Sequence, residues 1–145
     1  MNYIDNPVFI CGHRKAGTTL LINLLDGIED AIVYPDDSGF FYMYYPLFDT
    51  NEYSDKEKID RLCSRVANKN LGEVIDRNKT SSLVKDTLHG NQKKFISQLR
   101  GFKKNNFSTK DILTHFIESF GKTFQSDKKP KFWVEKTTSS EIYAL

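Results

Sequence analysis

Apolar residues along this chain fall into short unbroken runs and longer helical repeats, placed in alternation. Pro7-Val8-Phe9-Ile10-Cys11 is an unbroken run that stops at Gly12, the pattern of a strand buried on both faces, as in a parallel sheet. Thr18-Thr19-Leu20-Leu21-Ile22-Asn23-Leu24-Leu25 places apolar groups around most of a helix, which predicts packing on nearly all its sides before it ends near Asp26-Gly27. Ala31-Ile32-Val33-Tyr34 reads as a second strand, stopped by Pro35.

Residues 36–54 carry no clear period but many rings: Phe40, Phe41, Tyr42, Tyr44, Tyr45, Phe48 and Tyr53. They read as a loop whose rings pack on the sheet, or as a lid beside the preceding glycine loop. Helical spacing returns at Ile59, Leu62, Val66, Leu71, Val74 and Ile75, with Ser54-Asp55-Lys56-Glu57 as a capping box and Gly72 as a break. Further helices are predicted over Asn91–Phe102 and from Ser108, an N-cap, through Ile112, Leu113, Phe116, Ile117 and Phe120. The Lys and Asn clusters at 103–106 and 127–131 read as solvated loops. Lys131–Lys136 reads as a third strand, followed by Thr137-Thr138-Ser139-Ser140, and Glu141–Leu145 as the start of a helix.

Strand and helix alternate, so the expected class is α/β with layers packed on a sheet. A length of 145 residues suits one domain. Composition agrees with a globular chain, at 39% apolar and 28% charged. A net charge of +2 provides no global field for nucleic acid or an anionic membrane, so any anion site must be local. Cys11 and Cys63 are too few for a disulfide framework, and Cys11, in an apolar run, is expected to be a buried free thiol. No signal peptide or membrane span is legible, and a reducing, cytoplasmic setting fits best.

The chemistry concentrates at Gly12-His13-Arg14-Lys15-Ala16-Gly17-Thr18-Thr19. The first amides of a helix lack internal partners and carry the positive end of its dipole. Glycines allow successive amides to converge on one anion. Two threonine hydroxyls and Lys15 add donors and charge. A triphosphatase loop ends in Gly-Lys-Ser/Thr, whereas here Gly17 is followed by two threonines and the lysine precedes it. No apolar strand ending in Asp offers a partner for Mg²⁺. Three scattered histidines, His13, His89 and His115, with two distant cysteines make no zinc site.

The segment Gly12–Leu21 resembles the 5′-phosphosulfate loop of sulfotransferases: an apolar strand, Lys or Arg, a small residue, Gly-Thr-Thr and an apolar helix. Phe132-Trp133-Val134-Glu135-Lys136-Thr137 is similar to the strand that lies beside that loop in many members, ending in Glu-Lys-Thr or Glu-Lys-Ser. The resemblance implies a P-loop NTPase-like three-layer fold with a short parallel sheet and a helical insertion between the second and third strands. It implies transfer of a sulfuryl group from 3′-phosphoadenosine 5′-phosphosulfate to a hydroxyl or amine, without a metal. Arg14, Lys15, Ala16, Gly17, Thr18 and Thr19 would hold the donor, and Lys15 and Lys136 would stabilise negative charge in the transition state.

Small-molecule members place a histidine two residues after the strand-end lysine, where this chain has Thr138. Other branches use a glutamate after the second strand. Asp36 or Asp37 is the nearest counterpart, and Asp36 is the candidate base, although Asp36-Asp37-Ser38-Gly39 is also a turn sequence. The family grips the 3′-phosphate further along than Leu145, so residues 1–145 are expected to be one incomplete domain, completed by a homo-oligomer or a partner chain. Residues 40–130 match the family only as a variable insertion. The acceptor is not legible. A nucleotide kinase or hydrolase on the same loop, and a non-catalytic nucleotide-binding remnant, remain as alternatives.

Overall fold

Parallel strands need long crossovers, and the spacing of the three apolar runs provides them. In the computed structural model, β1 (Pro7–Gly12), β2 (Ala31–Asp37) and β3 (Phe132–Thr138) form one parallel sheet in the order β1-β3-β2. The helices are α1 (Thr18–Leu25), α2 (Tyr45–Phe48), α3 (Asp55–Asn68), α4 (Lys85–Arg100) and α5 (Thr109–Phe124). A 3₁₀ turn at Tyr3–Asp5 and a π-helical turn at Phe40–Tyr44 complete the set. The structure describes residues 2–13, 15–50, 52–68, 85–103 and 107–138, with the backbone alone for 42, 43, 46, 47, 85–90 and 138. This is a mixed α/β fold: a small parallel sheet flanked by helices, with the helical insertion between β2 and β3.

Side-chain alternation along the strands divides the core in two. Ile32, Tyr34 and Trp133 face a large core with residues of α3, α4 and α5, including Leu62, Phe95, Phe116 and Phe120. Ala31, Val33, Val134 and Ile10 face a smaller core against Ile22 of α1. The same parity sends Glu135 to the large-core side and Lys136 to the α1 side. Trp133 is anchored further by its indole, whose Nε1 donates to Ile4 O at 2.9 Å.

The predicted caps form. Glu57 Oε2 accepts from the Ser54 amide at 2.8 Å, and Ser54 Oγ accepts from the Glu57 amide at 3.4 Å. Ser108 and Asp111 exchange the corresponding pair at the start of α5. Gly72, Leu71, Val74 and Ile75, the end of the chain from Ser139, and residues 104–106 lie outside the described residues, so those readings have no structural counterpart.

Several expectations are corrected. Pro35 does not stop the second strand but lies within β2, at an irregularity in the ladder between Val33 and Asp37. Proline is tolerated there because β2 is at the margin of the sheet. The aromatic segment is not a loop: it forms the π-helical turn and α2, burying Phe40, Tyr44 and Phe48 in the large core. β1 is not buried on both faces, since it also lies at a margin, and Val8 and Phe9 stay partly exposed. Cys11, near the exposed end of that strand, is exposed rather than buried. α1 is not packed all round either. A three-stranded sheet offers it one surface, so Ile22 is buried while Leu20 and Leu24 are 65% and 68% exposed.

Candidate functional site

Both motifs singled out in the sequence fall at the carboxyl ends of the strands. β1 ends at Gly12, and its residues pair in parallel with β3, Ile10 opposite Lys136 and Gly12 opposite Thr138. The chain then turns sharply, with the Ala16 amide donating to His13 O at 3.0 Å. Lys15, the third residue of that turn, has φ 68°, and Gly17 follows at φ 82°. A lysine in the left-handed region costs roughly 1 kcal/mol or more, and such strain concentrates at working sites. Gly12 is required for a different reason: a Cβ there would sit 3.1 Å from Thr18 Cγ2, so only glycine lets the helix start approach the strand end.

Gly17 is the N-cap of α1 and offers no side-chain oxygen to the helix amides. The first intrahelical bond runs from the Leu21 amide to Gly17 O at 3.1 Å. The amides of Thr18, Thr19 and Leu20 thus have no acceptor within the helix, at the positive end of its dipole.

Lys136 closes this arrangement. It is 8% exposed, and its Nζ donates to Thr19 Oγ1 at 3.1 Å. An ammonium held on a hydroxyl keeps two further donor protons. One strand end, one glycine loop and one helix start therefore meet around a buried cation, 117 residues apart in sequence. Lys15, Ala16, Gly17 and Thr19 are exposed and Thr18 is half-buried, so the loop is accessible from solvent. Arg14 lies outside the described residues.

Asp36 is half-buried at the end of β2. Its neighbour Asp37 stands in register with Lys136 and is buried. Asp37 Oδ1 accepts from the Gly39 amide at 2.8 Å and Gly39 has φ 69°, so the chain bends at Ser38-Gly39, while Asp36 and Asp37 belong to β2 rather than to a four-residue turn.

On the other face of β3 lies Glu135, to which the sequence motif assigns no role. Glu135 is fully buried, its Oε1 accepts a short hydrogen bond from Ser38 Oγ, and its Oε2 has no hydrogen-bond partner. Burial pushes its carboxyl up to about 7, against the pull of the Ser38 bond and with the charge of Asp37 adding to the rise. Burial also raises the Tyr34 phenol, helped by Asp36, Glu135 and Asp37 and opposed by Arg65. The available signal was parity: Glu135 is two residues from Trp133 and so must point inward with it.

The remaining histidines have structural settings or none described. His115 stacks on Phe102 at 4.1 Å with Nε2 3.2 Å from Gln98 O and Leu99 O at the end of α4, and burial lowers its pKa. His13 is exposed in the loop, and the His89 side chain is not described. Among the described residues no group of three or more His, Cys, Asp or Glu side chains could hold a metal ion, and no helix is long and apolar enough to cross a membrane. The chain matches no protein-family model, no curated protein and no solved structure.

Proposed function

We propose that this chain binds the 5′-phosphosulfate end of 3′-phosphoadenosine 5′-phosphosulfate and serves sulfuryl transfer to a hydroxyl or amine. The observation that carries the reading is the bond from Lys136 Nζ to Thr19 Oγ1, which places the strand-end lysine at the mouth of the glycine loop. Either motif alone is weak; a strand-end lysine usually just meets solvent. The sulfotransferase resemblance expected the two side by side, and a P-loop-like arrangement of strand, loop and helix is the finer fold this reading implies.

In the proposed reaction the loop amides and the Thr18 and Thr19 hydroxyls hold the 5′-phosphate. The acceptor oxygen or nitrogen attacks sulfur, and the bond from sulfur to the bridging oxygen breaks in line with it. Lys15 and Lys136 neutralise the charge that gathers on that oxygen and on the departing adenosine 3′,5′-bisphosphate. The acceptor proton passes to a carboxylate, Asp36 in this reading.

A kinase or hydrolase on the same loop is the rival, disfavoured because no lysine follows Gly17. Calorimetry with millimolar adenosine 3′,5′-bisphosphate against Mg²⁺-ATP separates the two. The bisphosphate should bind more tightly than ATP, and Lys15→Ala should weaken it by about tenfold or more. Preference for Mg²⁺-ATP favours the rival, and no binding of either ligand removes both.

A further inference from the structure

Glu135 has no task in the transfer chemistry above, yet it is a fully buried carboxyl with one unsatisfied oxygen. Such groups are costly to bury and call for a physical reason. Oε1 takes the Ser38 hydroxyl, and Ser38 Oγ in turn accepts from the Phe40 amide at 3.0 Å. With the bond from Gly39 to Asp37, these contacts fix the bend at Ser38-Gly39 that directly follows Asp36 and Asp37 at the end of β2. The next residue of β3, Lys136, points to the opposite face and holds Thr19 at the start of α1. Adjacent residues of one strand thus grip the two sides of the site.

We propose that Glu135 is a positioning residue: through Ser38 it docks the bend that follows the Asp36-Asp37 end of β2 onto the strand that, one residue later, holds the glycine loop. What the two sides do rests on the sulfuryl-transfer reading, but the mechanical coupling stands without it. Asp37 and Tyr34 of β2 face Glu135, with Arg65 of α3 beside Tyr34, while α5 presents Phe116 and Phe120 to the Tyr34 ring. Neutral Glu135 suits this dry, acidic neighbourhood. Its ionisation near neutrality puts a charge in this dry pocket beside Asp37 and strengthens the bond from Ser38, which shifts the bend, and the disturbance passes along β3 to Lys136.

Amide NMR across pH 5.5–8.5 tests this in a chain carrying His13→Asn, which removes the one imidazole of the loop. The amides of Gly39 and Phe40 and those of Thr18 and Thr19 should follow one shared midpoint near 7. Glu135→Gln keeps the shape and removes the proton, and should abolish the shared step. Thr18 and Thr19 staying flat while Gly39 moves, or a step that survives Glu135→Gln, overturns the proposal. Should that variant not fold, Ser38→Ala takes its place: the Gly39 step should shrink at least about twofold with the Thr19 step retained, and an unchanged Gly39 step overturns the link. Adding adenosine 3′,5′-bisphosphate forms a separate arm. Thr18 and Thr19 unmoved by the nucleotide, with the pH step intact, removes the donor reading and leaves the coupling in place.

Discussion

The two faces of the sheet bury their apolar residues to very different degrees. On one face three helices cover Ile32, Tyr34 and Trp133, and rings pack edge to face behind them, Phe95 lying 5.4 Å from Phe116 and 5.9 Å from Phe120. On the other face one short helix, α1, buries Ile22 against four strand residues and leaves Leu20, Leu21 and Leu24 in solvent. Stability in this molecule is therefore concentrated on the covered face. The thinly covered face carries the exposed glycine loop and the buried Lys136, the residues to which the proposed function assigns the anion.

The largest effect should come from cutting into the covered face. Trp133→Ala removes a buried ring and a hydrogen bond and should cost about 3–5 kcal/mol in urea unfolding. Leu24→Ala, on the exposed side of α1, should cost about 0.5 kcal/mol or less. Equal losses at the two positions would contradict the comparison.

Next in size is a pH effect beneath the covered face. Glu135 keeps its proton in the folded chain up to about 7 but loses it near 4.5 when unfolded. Between those values the folded state binds more protons, so stability present below about 4.5 is lost as pH rises through about 7. The total is up to about 3 kcal/mol. Glu135→Gln should flatten this slope in denaturant titrations at successive pH values; an unchanged slope would assign it to other groups.

Smaller again is the margin of β2. Gln125 lies just past α5, its Oε1 accepting from the Val33 amide at 3.0 Å and its Nε2 donating to Val33 O at 3.3 Å. One side chain thus satisfies the backbone of a marginal strand that would otherwise expose it. Gln125→Ala should cost roughly 1–3 kcal/mol and speed hydrogen exchange at Val33. The cap at Ser108 comes last, with Ser108→Ala costing about 1 kcal/mol by the same unfolding measurement.

Elements with a strong local signal were legible in the sequence. The helix cap at Ser108, the capping box at Ser54 with Glu57, and the glycine loop between strand and helix all depend on neighbours within a few residues. What was not legible depends on distant partners. Nothing local shows that β3 inserts between β1 and β2, which leaves both outer strands marginal and lets Pro35 sit inside one of them. The same topology leaves α1 half-covered although its sequence is apolar nearly all round. Lys128 reads as a solvated loop residue, yet its Nζ donates to Asp26 O and Ala31 O at 3.0 Å, joining the end of α1 to β2. Of the candidate site, the loop and Lys136 were readable from motif; the pairing of Ser38 with Glu135 was not, because it spans 97 residues.

The central claim is that Lys15 and Lys136, from opposite ends of the chain, serve one anion. A double-mutant cycle measured by calorimetry with adenosine 3′,5′-bisphosphate addresses it directly, using Lys15→Ala and Lys136→Met, the latter keeping the buried stem. Each change should weaken binding by about tenfold or more, and the double variant should lose less than the product of the two. Unchanged affinity in Lys136→Met, with the protein still folded, would contradict the account.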